Sequence, residues 1–169
     1  LGVAPPASGD RAPVGRYMID LHGGLIANKS AGYNFSDALC IALQVINHIQ
    51  DCSDDFQSLD RIYLPYDTMK KYNANEKDLS NTTLTPNLRN CLDNMLNNVD
   101  QFIIKASALP TLLASTRLRM ESQIIINIAR QLSKRLRQLD PLESRIKLSK
   151  SAYTKCFITG AIRYFIRRK

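Results

Sequence analysis

The strongest constraint on the fold is a long run of regularly spaced apolar residues in the middle of the chain. They recur at alternating intervals of four and three residues, at Leu88, Leu92, Met95, Val99, Phe102, Ala106, Leu109 and Leu113. This spacing is typical of an α-helix that packs at a shallow angle against others in a bundle. Thr85 and Pro86 suit the N-cap and the first helical position, and Pro110 ends or kinks the helix.

Three further segments show helical spacing. We predict a first helix from just after Ser36 to about Cys52, a third from about Arg117 to Gln138, and a fourth from about Ser149 to Arg168. Residues 57–84 form a long connection between the first two helices, and no strand pattern competes. The sequence therefore predicts an all-α protein with a four-helix bundle.

The 169 residues suit a single compact domain. Residues 1–35 contain most of the Pro and Gly residues that interrupt helices and strands, and they lack sustained periodicity. We therefore expect an extended N-terminal arm there. Residues 36–169 then form one helical-bundle domain.

The four cysteines, Cys40, Cys52, Cys91 and Cys156, indicate an oxidising compartment. None forms a CxxC motif, and neither His22 nor His48 is paired with them, which argues against a zinc site. An even number at wide spacing suits two disulfides that staple the bundle.

Three glycosylation sequons agree with this interpretation, at Asn28, Asn34 and Asn81. No signal peptide is present, as is typical of a mature chain. We therefore expect a secreted, extracellular glycoprotein.

Charge is unevenly distributed along the chain. Residues 1–116 carry a formal charge of −3 and residues 117–169 one of +11. The cationic part suits an acidic protein partner, a sulfated polysaccharide or an anionic membrane, or it is a solvated helix face. It lacks the interleaved aromatic residues of a nucleic-acid interface, so no nucleic acid is expected.

Recognisable catalytic chemistry is missing from the sequence. No GxGxxG, GxxxxGK, GxSxG or HExxH motif occurs. The sequence also contains no run of 18 apolar residues, so we expect no stable membrane insertion. Three carboxylates, Asp51, Asp54 and Asp55, cluster at the C-terminal end of the first helix, where negative charge is mildly unfavourable. We interpret them as a solvated turn, with a contact site as the alternative, and we predict neither an enzyme nor a cofactor.

Two motifs resemble a known family. One is Cys91-Leu92-x-x-Met95-x-x-x-Val99-x-x-Phe102, and the other is Lys155-Cys156-Phe157-Ile158 followed by Ala161-Ile162-Arg163-Tyr164. Both are similar to helices of the long-chain helical cytokines of the interleukin-6 and interleukin-12 group, above all the interleukin-12 alpha chain. The likeness covers about residues 88–168.

This resemblance implies disulfides between Cys40 and Cys91 and between Cys52 and Cys156. The rival pairing, Cys40 with Cys52 and Cys91 with Cys156, fails if the first helix is intact, because twelve helical residues span about 18 Å. The resemblance also implies an up-up-down-down bundle. In that arrangement residues 138–150 must cross the length of the bundle and only just reach, so an up-down-up-down order is the alternative.

The function implied is that of a secreted cytokine subunit in immune signalling. It would bind a receptor-like beta chain and cell-surface receptors, with Arg163, Tyr164 and Arg167 as candidate contacts. Alternatives are a stand-alone interleukin-6-like cytokine, a secreted basic helical protein that binds lipids or membranes, and a purely structural protein.

Overall fold

The computed structural model describes residues 14–26 and 28–166, and within them no side chain is described at positions 14, 161 and 163–166. The α-helices are α1 (Val14–Leu21), α2 (Lys29–Gln50), α3 (Cys52–Leu59), α4 (Tyr66–Lys71), α5 (Pro86–Ala106), α6 (Leu109–Leu112), α7 (Thr116–Gln138) and α8 (Lys150–Ile166). A 3-10 helix spans Glu76–Ser80. The described residues form no strand, only an isolated bridge between Leu25 and Leu113. The all-α prediction is confirmed.

Helix α5 forms over most of the segment that its apolar spacing predicts, but it ends at Ala106, before Leu109 and Leu113. The Thr85 hydroxyl accepts a hydrogen bond from Leu88 N at 3.2 Å, and Pro86 is the first helical residue. The predicted residues are buried except Phe102, which is half-buried, and a second buried row adds Cys91, Leu96 and Ile103. The buried face is this wide because α5 packs against both α2 and α7.

Side-chain contacts show that α5 and α7 run antiparallel. Near the start of α5, Arg89 donates to Leu136 O and Leu139 O, at the end of α7. Further along α5, Asp100 accepts from the Ser133 hydroxyl at 2.7 Å, an earlier residue of α7. The short connection through α6 is what an antiparallel pair requires.

The directions of α2 and α8 follow in the same way. Asn127 of α7 contacts Thr159 of α8, and Gly160 lies against Ile124, so α7 and α8 are also antiparallel. The end of α2 contacts the segment just after α7, because Gln50 donates to Ile146 O. The long helices α2, α5, α7 and α8 therefore run up-down-up-down, and the predicted up-up-down-down order is wrong. The segment after α7 turns back at the same end of the bundle and need not cross its length.

The N-terminal region is more helical than predicted. Helix α1 lies within the expected extended arm, and α2 begins at Lys29, so the predicted boundary at residue 36 falls inside α2. Helix α1 packs closely on α2, since a Cβ added at Gly15 would lie 2.4 Å from Ser36 Oγ. An ion pair between Arg16 and Asp37 holds the same two helices together. Residues 1–13 lie outside the described part of the chain.

The long connection after α3 is folded onto the bundle. Leu64, Met69 and Leu79 are buried there, and the Ser53 hydroxyl of α3 donates to Leu79 O at 3.1 Å. In the described part of the chain, no helix combines the length and apolar character needed to cross a membrane.

Candidate active site

The acidic residues at the end of α2 lie on a kinked but continuous helical path. Asp51 has φ −106° and ψ 5°, yet its N–H donates to Asn47 O at 3.0 Å and its carbonyl accepts from Asp55 N at 2.8 Å. Residues four apart share a helix face, so Asp51 and Asp55 lie on the same side, one turn apart. Both are half-buried, whereas Asp54 is exposed.

Asp51 is paired with an arginine that is distant in sequence. Arg145 Nη2 donates a hydrogen bond to Asp51 Oδ2 at 3.0 Å. Arg145 Nε lies 2.9 Å from Asp51 Oδ1, a distance that makes an ion pair, but this contact lacks the geometry of a hydrogen bond. The Asp51 side chain is 16% exposed and that of Arg145 46%. The cation therefore reaches solvent while its counter-charge is largely enclosed. The interpretation of this cluster as a solvated turn is wrong for Asp51.

The segment that carries Arg145 is fixed at several points. Ile146 and Leu148 are buried in the core, and Ile146 O accepts from the Gln50 side chain. Asp140, near the start of the same segment, accepts from Leu142 N at 2.8 Å and from Leu84 N at 2.7 Å. The position of the Arg145 guanidinium is thus set by a well-packed connection.

An aromatic pair lies one turn before Asp51. The rings of His48 and Tyr63 stack with centroids 4.1 Å apart and planes 14° apart. Asp60, with φ 50°, reverses the chain after α3, and Arg61 N donates to Asp55 O at 3.1 Å. This turn brings the segment around Tyr63 back over the end of α2.

The solvent-facing side of α2 continues the polar character of this site. Cys40, Gln44 and Asn47 are exposed and precede Asp51 at intervals of four, three and four residues, which places all four on one helix face. The opposite face of α2 is core. A helix that is buried on one side thus presents a thiol, two amides and a carboxylate on the other.

The described residues contain no group of three or more His, Cys, Asp or Glu side chains close enough to hold a metal ion. The carboxylate of Asp51 is already engaged by Arg145. Asp51 and Asp55 could contribute oxygen ligands, but the described residues of this chain do not complete a metal site.

The four cysteines predicted to form disulfides are all free thiols in the structure, so neither predicted bridge is formed. Cys52, Cys91 and Cys156 are buried, and Cys40 is exposed. Burial raises the pKa of the Cys52 thiol to about 12. Cys91, at the start of α5, is buried in the core, so it acts as a small core residue packed among aliphatic side chains.

The other predicted site residues are scattered. Asn28 is the N-cap of α2 and its side chain accepts from Ala31 N at 3.2 Å, while Asn34 and Asn81 are exposed. Their glycosylation stays a prediction. Arg163 and Tyr164 lie in α8 without described side chains, and Arg167 lies outside the described residues.

Sequence reasoning missed Arg145, and the available signal was electrostatic. Three carboxylates at the C-terminal end of a helix are unfavourable unless a cation neutralises them. That argument calls for a cationic partner, but the pattern alone does not say which of the many Lys and Arg residues supplies it.

Comparisons with known proteins identify the family. The squalene/phytoene synthase family matches residues 11–152. The chain is 34% identical over 137 residues to the hydroxysqualene synthase of Sinorhizobium fredii, covering 81% of this chain and 46% of that protein. The hydroxysqualene synthase of Zymomonas mobilis is 32% identical over 155 residues, covering 91% and 51%.

A solved structure agrees with these relatives. The squalene synthase HpnC from Alicyclobacillus acidocaldarius superposes with a TM-score of 0.66 at 26% identity, covering 75% of this chain and 46% of that one. This likeness fits the all-helical fold. The chain spans about half the length of the curated relatives it matches.

These matches overturn the cytokine prediction. The resemblance rested on apolar spacings that many helical proteins share, whereas the family match extends over most of the chain. The prediction of an immune function is therefore wrong. The predicted partners are wrong as well, namely a receptor-like beta chain, cytokine receptors and a sulfated polysaccharide. The two alternatives, a stand-alone cytokine and a lipid- or membrane-binding protein, are also wrong. The prediction that the protein is not an enzyme is also wrong, because its relatives are synthases. The chain belongs to the squalene/phytoene synthase family.

Proposed function

We propose that this chain provides part or all of an enzyme of the hydroxysqualene synthase type, which acts on a prenyl diphosphate. The observation that carries the proposal is the 34% identity to a named hydroxysqualene synthase over 81% of the chain. The shared all-helical fold supports it.

The name of the product defines the chemistry that such an enzyme needs. To convert a prenyl diphosphate into an alcohol, the C–O bond to the diphosphate breaks and the diphosphate leaves with the bonding electron pair. The oxygen of a water molecule then bonds to the carbon, and its proton passes to solvent. The enzyme must stabilise negative charge on the leaving group and accommodate the hydrocarbon.

Arg145 is our candidate for contact with the leaving group. A guanidinium offers paired N–H donors that match phosphate oxygens, and its charge persists at all relevant pH values. Arg145 is partly exposed, so it can reach a ligand, and Asp51 fixes its orientation. In this proposal Asp51 is a positioning residue, and Gln44 and Asn47 provide further polar contacts along the same face of α2.

The hydrocarbon part of a substrate needs apolar surface. Ile124 and Ile128 of α7, together with Tyr153 and Phe157 of α8, line an apolar groove of about 450 Å³. Phe157 is largely exposed even though it belongs to this groove. These side chains are candidates for contact with a prenyl chain.

The test is a product assay on the complete gene product. The purified protein is incubated with prenyl diphosphates of increasing chain length, and diphosphate release and terpenoid alcohols are measured, the latter by gas chromatography and mass spectrometry. We expect hydroxysqualene only from a diphosphate that already carries its carbon skeleton, because the exchange of diphosphate for hydroxyl forms no C–C bond. We expect Arg145→Gln to lower kcat by more than about ten-fold.

The matched control is Arg117→Gln. Arg117 also belongs to an ion pair, with Glu121, but its side chain is 79% exposed and lies at the start of α7. Its replacement should leave turnover unchanged. Failure of the wild-type protein to turn over any prenyl diphosphate would refute the proposed function.

A further inference from the structure

The imidazole of His48 lies beside the proposed diphosphate site. His48 is in the last turn of α2, three residues before Asp51, so the two side chains are neighbours on the helix surface. The residue is half-buried, and its ring stacks on that of Tyr63 with the centroids 4.1 Å apart. The stack holds the ring at the border of the polar face of α2, where it remains partly in contact with solvent.

His48 and Arg145 lie on opposite sides of Asp51. Successive residues of an α-helix are rotated by about 100°, so Gln50 and His48 flank Asp51 on different sides. On the Gln50 side, the Gln50 side chain donates to the carbonyl oxygen of Ile146, which follows Arg145 in the chain. The guanidinium therefore approaches Asp51 from that side, and the His48 ring borders the other.

The imidazole nitrogens of His48 are available for hydrogen bonding. The ring stacks on Tyr63, and no hydrogen bond or ion pair joins it to another residue in the described part of the chain. A neutral imidazole carries one N–H donor and one nitrogen that accepts a hydrogen bond or a proton. Stacking occupies a face of the ring and leaves both nitrogens at its edge, so His48 can accept a hydrogen bond from a water molecule.

The neighbouring carboxylate is a poorer candidate for accepting a proton. Asp51 is already engaged by the Arg145 guanidinium through a hydrogen bond and an ion pair. A carboxylate is also a weaker base than an imidazole, which exchanges its proton in the neutral pH range. His48 is therefore better suited than Asp51 to act as a base near neutral pH.

We propose that His48 is the general base of the alcohol-forming step, and this proposal rests on the proposed function. After the C–O bond breaks, the diphosphate leaves with the electron pair towards Arg145. A water molecule that donates a hydrogen bond to His48 then bonds through its oxygen to the cationic carbon, from the side away from the leaving group. Its proton passes to the imidazole nitrogen and from there to solvent. Tyr63 is a positioning residue that fixes the ring.

A base at this position decides between two products. Without it, the cationic intermediate loses a proton from a neighbouring carbon, and the C–H electron pair forms a C=C bond. The product is then an alkene, and the departed diphosphate or bulk water takes the proton. The ratio of alcohol to alkene therefore reports on His48, whereas the rate of diphosphate release reports on Arg145.

The test is the product ratio of the complete gene product with a prenyl diphosphate. Diphosphate release and the terpenoid products are measured together, the latter by gas chromatography and mass spectrometry. We expect His48→Gln to lower the alcohol-to-alkene ratio by more than about ten-fold, since general acid–base catalysis contributes about 10²–10⁴-fold. Added imidazole should restore part of the ratio in His48→Ala, which a merely structural role of the ring would not allow.

Two comparisons keep the result interpretable. His22→Gln is the matched control, because His22 is an exposed imidazole just beyond the end of α1 and outside this site. Its product ratio should equal that of the wild-type protein. Tyr63→Phe preserves the stack and should preserve the ratio, whereas Tyr63→Leu should lower it. Thermal unfolding of each variant is measured in parallel, and the Tyr63 pair tests the same role if a His48 variant does not fold.

The outcomes separate this proposal from the proposed function. If the wild-type protein releases no diphosphate or forms no alcohol, both are overturned. If it forms alcohol and His48→Gln gives the same product ratio, only the role of His48 is overturned. Loss of diphosphate release in a folded His48→Gln variant would also overturn that role, because the base acts after the C–O bond breaks. So would an equal fall in the ratio in His22→Gln.

Discussion

The ion pair between Asp51 and Arg145 should stabilise the protein as well as orient the guanidinium. Exposed ion pairs contribute about 0.2–1 kcal/mol, and breaking a buried pair costs about 3–5 kcal/mol. Asp51 is 16% exposed and Arg145 46%, so this pair lies between those limits. We therefore expect a coupling free energy of about 1–2 kcal/mol between the two side chains.

A double-mutant cycle measures this coupling directly. Asp51→Asn removes the charge with little change in shape, and Arg145→Gln removes the cation. Each single variant should lower the free energy of unfolding by about 1–3 kcal/mol, and the double variant should lose about 1–2 kcal/mol less than the sum of the two. Urea unfolding at neutral pH, followed by circular dichroism, gives these values.

Asp67→Asn is the matched control for the cycle. Asp67 is an exposed carboxylate in the first turn of α4 that forms no ion pair with a described residue. Its replacement should change stability by less than about 0.5 kcal/mol. A coupling below about 0.3 kcal/mol would refute the reasoning, because the two substitutions would then be additive. A coupling that disappears in about 1 M salt would also refute the reasoning, because salt at that concentration fully screens only charges that are exposed to solvent.

Two other predictions follow from packing and burial. Gly15→Ala places a Cβ against Ser36 and should lower the free energy of unfolding by about 1–3 kcal/mol, measured in urea. Adding Ser36→Ala should restore part of this loss. No change in stability in either variant would contradict the close packing of α1 on α2. Burial raises the pKa of Cys52 from 9.0 to about 12, so its stabilising contribution is present below pH 9 and lost as the pH rises from about 9 to 12. Thiol labelling at pH 8 with mass spectrometry should therefore modify exposed Cys40 well before Cys52, and equal rates would contradict the burial.

Much of the secondary structure could be predicted from local signals. The apolar spacing and the caps at Thr85 and Pro86 place the start of α5 correctly, and the third helix was predicted within one residue of α7. These signals are short-range, because capping and helical periodicity depend on residues only a few positions apart. Helix α1 was missed because nearby Gly and Pro residues suggested irregular structure, although Gly15 is needed there for close packing on α2.

The candidate site was harder to predict for the same reason. Its two charged partners, Asp51 and Arg145, are 94 residues apart and carry no local pattern. The cysteines misled the interpretation, because four thiols look the same in sequence whether they are free or disulfide-bonded. Only the tertiary structure shows that all four are free.

The sequence by itself determined an all-α protein with four long helices, because periodicity and capping act within single helices. The directions of those helices and the pairing of Asp51 with Arg145 were decided by tertiary structure. Residues 139–149 fold back onto the end of α2 because Ile146 and Leu148 are buried there, and this packing both sets the direction of α8 and brings Arg145 to Asp51. Burial of apolar surface is non-directional, so which helix face meets which is settled only when all the helices pack together.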